Sequence, residues 1–174
     1  MSSINSEYNE TATAVSKLKT VFSFPNPVNE VAARMVAGMV VALSLAIIFT
    51  DQSWLLFLLA YGFLARVATG PTLSPMGQFA TRVLVPLVGN PQRPVPGPPK
   101  RFAQTIGLVF SIAALVLFFV VGSAMAAKGV LAVLVLFAAL ESGVGFCAGC
   151  FVFGYLMRWG LIPRSVCEEC VVAT

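Results

Sequence analysis

The sequence predicts an all-α membrane protein, built from four transmembrane helices and a short interfacial helix. Composition is the first reason. Of 174 residues, 58% are hydrophobic and only 10% charged, and the mean hydropathy is +0.90, whereas a soluble domain is roughly one quarter charged. Too few polar side chains remain to cover a water-facing surface. The second reason is a set of apolar runs long enough to cross a hydrocarbon core of about 30 Å. The third is a one-sided distribution of Lys and Arg.

The elements follow in chain order. Residues 1–24 form a polar tail rich in Ser, Thr, Asn, Glu and Lys, with a short helix expected over Thr13 to Phe22. The tail lacks the apolar run and small-residue cleavage site of a secretory signal. The membrane domain is expected over residues 25–160. Pro25-Asn26-Pro27 opens the first helix, with Asn26 as its cap and Pro27 at the first helical position. Spans are expected over 31–50 and 54–68, joined by a polar turn in which Asp51 or Ser53 caps the second helix. Trp54 suits one interface, and Arg66 snorkels to the other.

Residues 75–89 are too short to span. Met76, Phe79, Ala80, Val83, Leu84, Leu87 and Val88 share one face, with Gln78, Thr81 and Arg82 opposite, which predicts a helix lying in the interface. The proline-rich stretch 90–99 predicts an extended strap. The third span is expected over 102–126, a turn at Ala127-Lys128-Gly129, and the fourth span over 130–157. Residues 161–174 form a Cys-bearing tail. Ten of the eleven Lys and Arg residues fall on one side of this layout and only Lys128 on the other. Positive residues stay inside, so a multi-pass protein of the cell membrane with both termini cytoplasmic is expected.

Composition also narrows the chemistry. The absence of histidine removes the commonest general base and imidazole ligation. No phosphate-binding glycine loop is present. The basic residues are spread along loops rather than clustered with aromatics, so nucleic acid is not an expected partner. The bilayer is.

The four cysteines form two pairs, Cys147-Ala148-Gly149-Cys150 and Cys167-Glu168-Glu169-Cys170. Two intervening residues hold two sulfurs within disulfide reach, the spacing of dithiol redox sites. The complete spacing, C-x2-C-x16-C-x2-C, also fits a four-thiolate zinc site, while isolated cysteines serve as small apolar filler. On a helix starting near Val130, Cys147 and Cys150 would lie roughly 26–30 Å along it, at its cytoplasmic end. Cys167 and Cys170 follow Pro163 on the same side, where a reducing compartment disfavours permanent structural disulfides. The open readings are thiols that exchange, carry sulfur or hold zinc, and packing alone.

Glu141 is the acidic residue well inside an apolar span, where a carboxylate needs a partner. Arg34 and Arg66 are the expected partners, in a structural ion pair or around a proton carrier for the thiols. Gly145 and Gly149 make a GxxxG. Such glycines either let membrane helices approach closely, including between copies of the chain, or loosen the helix around Cys147.

The stretches Phe24 to Glu30, Tyr61 to Pro86 and above all Glu141-Ser-Gly-Val-Gly-Phe-Cys-Ala-Gly-Cys-Phe-Val-Phe-Gly resemble a family of small bacterial membrane proteins. That family is catalogued only as a domain of unknown function (number forty-three ninety-five). The resemblance runs over about residues 22–170 and implies a four-helix membrane protein, often associated with thioredoxin-like or sulfurtransferase proteins.

The expected function is therefore a membrane thiol–disulfide or persulfide relay. Cys147 and Cys150 form its inner pair, Cys167 and Cys170 its mobile pair, and Glu141 its proton carrier. No cofactor is expected under this reading. The alternatives are a membrane subunit or assembly protein whose four cysteines bind zinc, and an oligomer, assembled through the fourth helix, that passes a small sulfur species.

Overall fold

The computed structural model describes residues 24–163 together with Val166, Cys167 and Cys170. The helix expected over Thr13 to Phe22 lies outside these residues. The chain is mostly helical. In order it forms β1 (Val28–Asn29), α1 (Glu30–Thr50), α2 (Leu55–Thr69), α3 (Pro75–Phe79), a turn of π-helix (Ala80–Leu84), α4 (Val85–Leu87), β2 (Pro94–Val95), α5 (Gly97–Phe119), α6 (Ala124–Val144) and α7 (Ala148–Arg158).

Three of these helices, α1, α5 and α6, are long and apolar enough to cross a membrane. At 1.5 Å per residue they extend about 32–35 Å, whereas α2 reaches about 22 Å and α7 about 16 Å. α1 packs on α6, α6 on α5, and α5 on α2. Large apolar side chains crowd the outer surfaces, among them Phe49, Phe57, Leu64, Ile112 and Leu136. Ser44, Arg66, Lys100 and Ser111 are buried instead. An apolar exterior around a partly polar interior is the arrangement that lipid favours.

The core explains why these helices approach closely. Val40, Ile47, Leu56, Leu59, Phe63, Ala114, Leu131 and Leu134 form its centre. Gly107 admits the Phe63 ring: a Cβ there would sit 2.2 Å from it. Gly38 likewise faces Ser142 at 3.0 Å. Small residues at such crossings let dispersion contacts accumulate between helices.

Several local expectations change. Asn29, not Asn26, caps α1, accepting from the Val31 backbone N–H at 3.1 Å. Asn26 instead accepts from the Gly97 backbone N–H at 2.8 Å. β1 and β2 pair antiparallel, and Asn29 Nδ2 donates to the Pro91 carbonyl at 3.1 Å. The strap is thus tied to the start of α1. Its last prolines, Pro98 and Pro99, belong to the first turn of α5, where their missing N–H groups need no partner. α5 therefore starts earlier than expected and ends at Phe119. The turn before α6 falls at residues 120–123, with Ser123 as N-cap. Neither Asp51 nor Ser53 caps α2, whose N-cap is Trp54; Asp51 ends α1 and pairs with Lys128 at 2.6 Å.

The expected interfacial helix is a helical stretch interrupted by the π turn. The largest change concerns the apolar run 130–157. Residues 145–147 divide it between α6 and α7.

Candidate functional site

Two features end α6. Gly145 adopts the left-handed conformation, φ 78°, and its N–H donates back to the Leu140 and Glu141 carbonyls. Glycine meets no Cβ penalty there. From α1, Arg34 Nη2 donates to the Ser142 carbonyl at 3.2 Å and to the Gly143 carbonyl at 2.7 Å. A cation on the carbonyls at a helix C-terminus complements the helix dipole.

Cys147 then starts α7. Its backbone is extended, and its Sγ accepts from the Cys150 backbone N–H at 3.3 Å, so the thiol itself is the N-cap. α7 lies against the first turns of α5. A Cβ on Gly149 would be 2.5 Å from the Ala103 Cβ, and Phe153 packs on Phe102 with ring centroids 5.7 Å apart. The two glycines of the GxxxG thus divide the expected roles. Gly145 breaks the helix, and Gly149 permits close packing within the chain.

Glu141 does not pair with Arg34 or Arg66. Lys100, from the first turn of α5, donates to Glu141 Oε1 at 2.8 Å, with side chains only 8% and 16% exposed. Arg34 is occupied by the α6 carbonyls. Arg66 is 4% exposed; its Nε donates to Gln104 Oε1 at 2.8 Å, and its guanidinium lies over the Phe63 ring at 4.5 Å. Among the described residues Arg66 Nη2 has no hydrogen-bond partner.

The charges around the thiols separate their acidities. A side-chain hydrogen bond with Cys150 holds Cys147 below the ordinary thiol range, while burial and Glu141 oppose the effect and Lys100 assists it. Cys150, the other side of that hydrogen bond, is pushed up, and burial adds to the rise. Cys147 is thus the more acidic of the two sulfurs and Cys150 the less acidic.

Cys147 also lines a cavity of about 480 Å³ between α1, α2, α5, α6 and α7. Its walls are mainly Ala, Val, Leu and Phe side chains, with Arg66, Gln104 and Glu141 as polar groups. The structure therefore brings Cys147, Cys150, Glu141 and Lys100 together, and sets Arg66 across the same cavity from α2. Lys100 and Gln104 were absent from the sequence-based site. Their signal was the stripe Lys100, Gln104, Gly107, Ser111 and Ala114, spaced three and four residues apart along α5.

In the tail, Cys167 and Cys170 are joined by a disulfide, whereas Cys147 and Cys150 are free thiols. Cys167 is buried and Cys170 half-buried. Among the described residues, no three Cys, Asp or Glu side chains converge as a metal site would require. The family model of DUF4395, a domain of unknown function, matches residues 28–158. The chain belongs to that family. No curated protein and no solved structure matches the chain. The DUF4395 match includes Cys147, Cys150, Glu141, Lys100 and Arg66 but ends before Cys167.

Proposed function

We propose that the protein is a membrane thiol–disulfide relay, in which Cys147 is the nucleophile, Cys150 its resolving partner, and Cys167–Cys170 the pair that meets a soluble protein. The supporting observation is Cys147 Sγ at the N-terminus of α7, hydrogen-bonded by the Cys150 N–H. Helix N-termini and nearby cations lower thiol pKa values and create reactive thiolates. In this reading the chain crosses the membrane four times, through α1, α2, α5 and α6. α7 lies along the cytoplasmic interface, and both termini are inside.

The exchange is balanced. The Cys147 thiolate attacks one sulfur of the Cys167–Cys170 disulfide, and the displaced tail thiolate takes up a proton. Cys150 loses its proton and attacks the Cys147 sulfur of the mixed disulfide, which closes the inner disulfide and releases the second tail thiolate to be protonated. Two electrons move from the inner pair to the tail pair, with one proton from Cys150 and one from water, which had received the proton Cys147 gave up on ionising, and the reaction also runs in reverse. In this reading Glu141, held by Lys100, takes up the Cys150 proton. A thioredoxin-like protein has the chemistry to exchange with the tail pair. A sulfurtransferase would use the same Cys147 nucleophile to deliver a persulfide.

The test keeps one cysteine of each pair. Under mild oxidant, the double variant Cys150→Ser with Cys170→Ser should form an intramolecular Cys147–Cys167 disulfide, identified by mass spectrometry of the digest. All four mixed doubles should be compared. If none crosslinks while each native pair still oxidises internally, the pairs act separately and the relay is wrong. Zinc analysis of the protein as purified is part of the same experiment. One zinc per chain, with crosslinking accelerated by chelation, would replace the relay with a shared metal site.

A further inference from the structure

An electron relay needs a terminal partner, and the inner cavity has the properties of a site for one. It holds about 480 Å³, within the range of small-molecule pockets, which combine mostly apolar walls with a few placed polar groups. Phe63, Phe110, Phe137, Phe146 and Phe151 contribute flat aromatic surface to its lining. Its wall also includes Cys147, the more acidic of the two inner sulfurs.

The second observation is Arg66. Its guanidinium is 4% exposed and its Nη2 donor has no partner among the described residues, although a buried donor without an acceptor is costly. Glu141 does not serve, because its bonded partner is Lys100. Within this buried group two cations face one carboxylate. An acceptor oxygen that becomes electron-rich during a reaction would satisfy both the free donor and the excess positive charge. Membranes supply such a molecule: a lipophilic quinone, with a flat ring, carbonyl oxygens and an apolar tail.

We infer that the cavity binds a lipophilic quinone as the electron acceptor of the Cys147/Cys150 pair, with Arg66 donating to a quinone oxygen. This rests on the thiol relay proposed above. In the reaction the two inner thiols form one disulfide, giving up two electrons and two protons. The quinone gains both and leaves as hydroquinone. Arg66 stabilises the oxygen that gains charge, and the Lys100–Glu141 pair lies where the released protons pass. The tail dithiol, once reduced by a soluble partner, returns the inner pair to its dithiol form.

The experiment uses the full chain, reduced and then freed of reductant, in lipid nanodiscs. The probe is a benzoquinone bearing a ten-carbon tail. One quinone should be reduced per Cys147–Cys150 disulfide formed, followed by quinone absorbance and by mass spectrometry of the peptides. Arg66→Gln should raise the half-saturating quinone concentration at least tenfold. It should leave oxidation of the same pair by diamide, a small oxidant that needs no cavity, unchanged. It should also leave thermal stability unchanged or higher, because an unpaired buried charge is removed.

Oxidation by diamide with none by quinone would overturn the quinone assignment and leave the relay standing. Failure of both oxidants to close the inner disulfide would remove the relay itself. A ten-carbon carboxylate that shields Cys147 from alkylation as well as the quinone does, with no electron transfer from the protein to quinone, would make the cavity a lipid-anion site and overturn the inference. Should Arg66→Gln fail to fold, Gln104→Leu provides the second arm, since it removes the group that orients the guanidinium. Equal quinone affinity in a folded Gln104→Leu protein would count against the assignment.

Discussion

Lys100 and Glu141 form a buried ion pair whose charges both act on the Cys147 thiol, and breaking it should have two separable consequences. Both side chains are largely buried, at 8% and 16% exposure, and their charged atoms lie 2.8 Å apart. Removing one partner of a buried pair leaves the other charge uncompensated, at a cost of about 3–5 kcal/mol, whereas replacing both by apolar groups is often neutral or stabilising. Glu141→Leu and Lys100→Met should each lose about 3–5 kcal/mol of stability, and the double variant carrying both should recover most of it. The coupling energy of the cycle, the two single losses together less the loss of the double, should then be at least about 5 kcal/mol, above the usual range for contacting residues. Reversible unfolding in mixed micelles, followed by tryptophan fluorescence, measures all four proteins. The thiols add a test of sign. Glu141 raises the Cys147 pKa and Lys100 lowers it, so at one fixed pH Glu141→Gln should speed alkylation of Cys147 and Lys100→Met should slow it. Simple loss of structure would move both rates in the same direction. Singles within about 0.5 kcal/mol of the parent, the usual scatter for surface changes, would refute the buried pair, and alkylation rates shifting in parallel would refute its coupling to the thiol.

The hydrogen bond from Cys150 is the largest influence lowering the Cys147 pKa. Cys150→Ala should therefore shift the midpoint of the Cys147 alkylation–pH profile upward, and an unmoved midpoint would deny that contact. Because the folded pKa lies below the ordinary value of 9.0, ionisation of Cys147 adds stability that is fully present above that value and lost as pH falls through the folded pKa. Chemical unfolding of the Cys150→Ala protein should show a weaker pH dependence over that window. For topology, single cysteines at Ser53 or Lys128, in a background lacking the native four, should react with an impermeant thiol reagent in intact cells. One at Gly97 should be shielded, and the reverse pattern would place the native thiols outside the cytoplasm.

The membrane character, the three long helices and the helical stretch over residues 75–87 were legible because they depend on apolar runs and composition. The partner of Glu141 was not. Arg34 and Arg66 were the cations inside apolar runs, while Lys100 followed five prolines in a segment that reads as a strap. Two of those prolines, Pro98 and Pro99, instead lie in the first turn of α5, so Lys100 sits within a helix. A register one turn longer would have placed it on the buried stripe with Gln104 and Gly107. Asn26 was mistaken for the cap because Pro27 is a common first helical residue. The pairing of Val28 with Val95 is a contact across 67 positions, which no local pattern announces.

The division between α6 and α7 matters most for function. Hydropathy is continuous across residues 145–147, so a count of apolar residues yields one long span with its thiols near its end. In a continuous helix, the Cys150 N–H would serve an ordinary backbone carbonyl four residues back. Gly145 and Arg34 end α6 before that register is reached, the first through its left-handed turn and the second by occupying the carbonyls of Ser142 and Gly143, so Cys150 falls in the first turn of a new helix. The freed Cys150 N–H turns to Cys147 Sγ, and Gly149 lets this new helix start settle against Ala103. The same break therefore divides the apolar run 130–157 and places a sulfur at the positive end of a helix dipole. It also brings that sulfur beside Lys100 and onto the wall of the inner cavity. Arg34, which looked like a partner for a carboxylate, contributes to the thiol site by ending the helix before it.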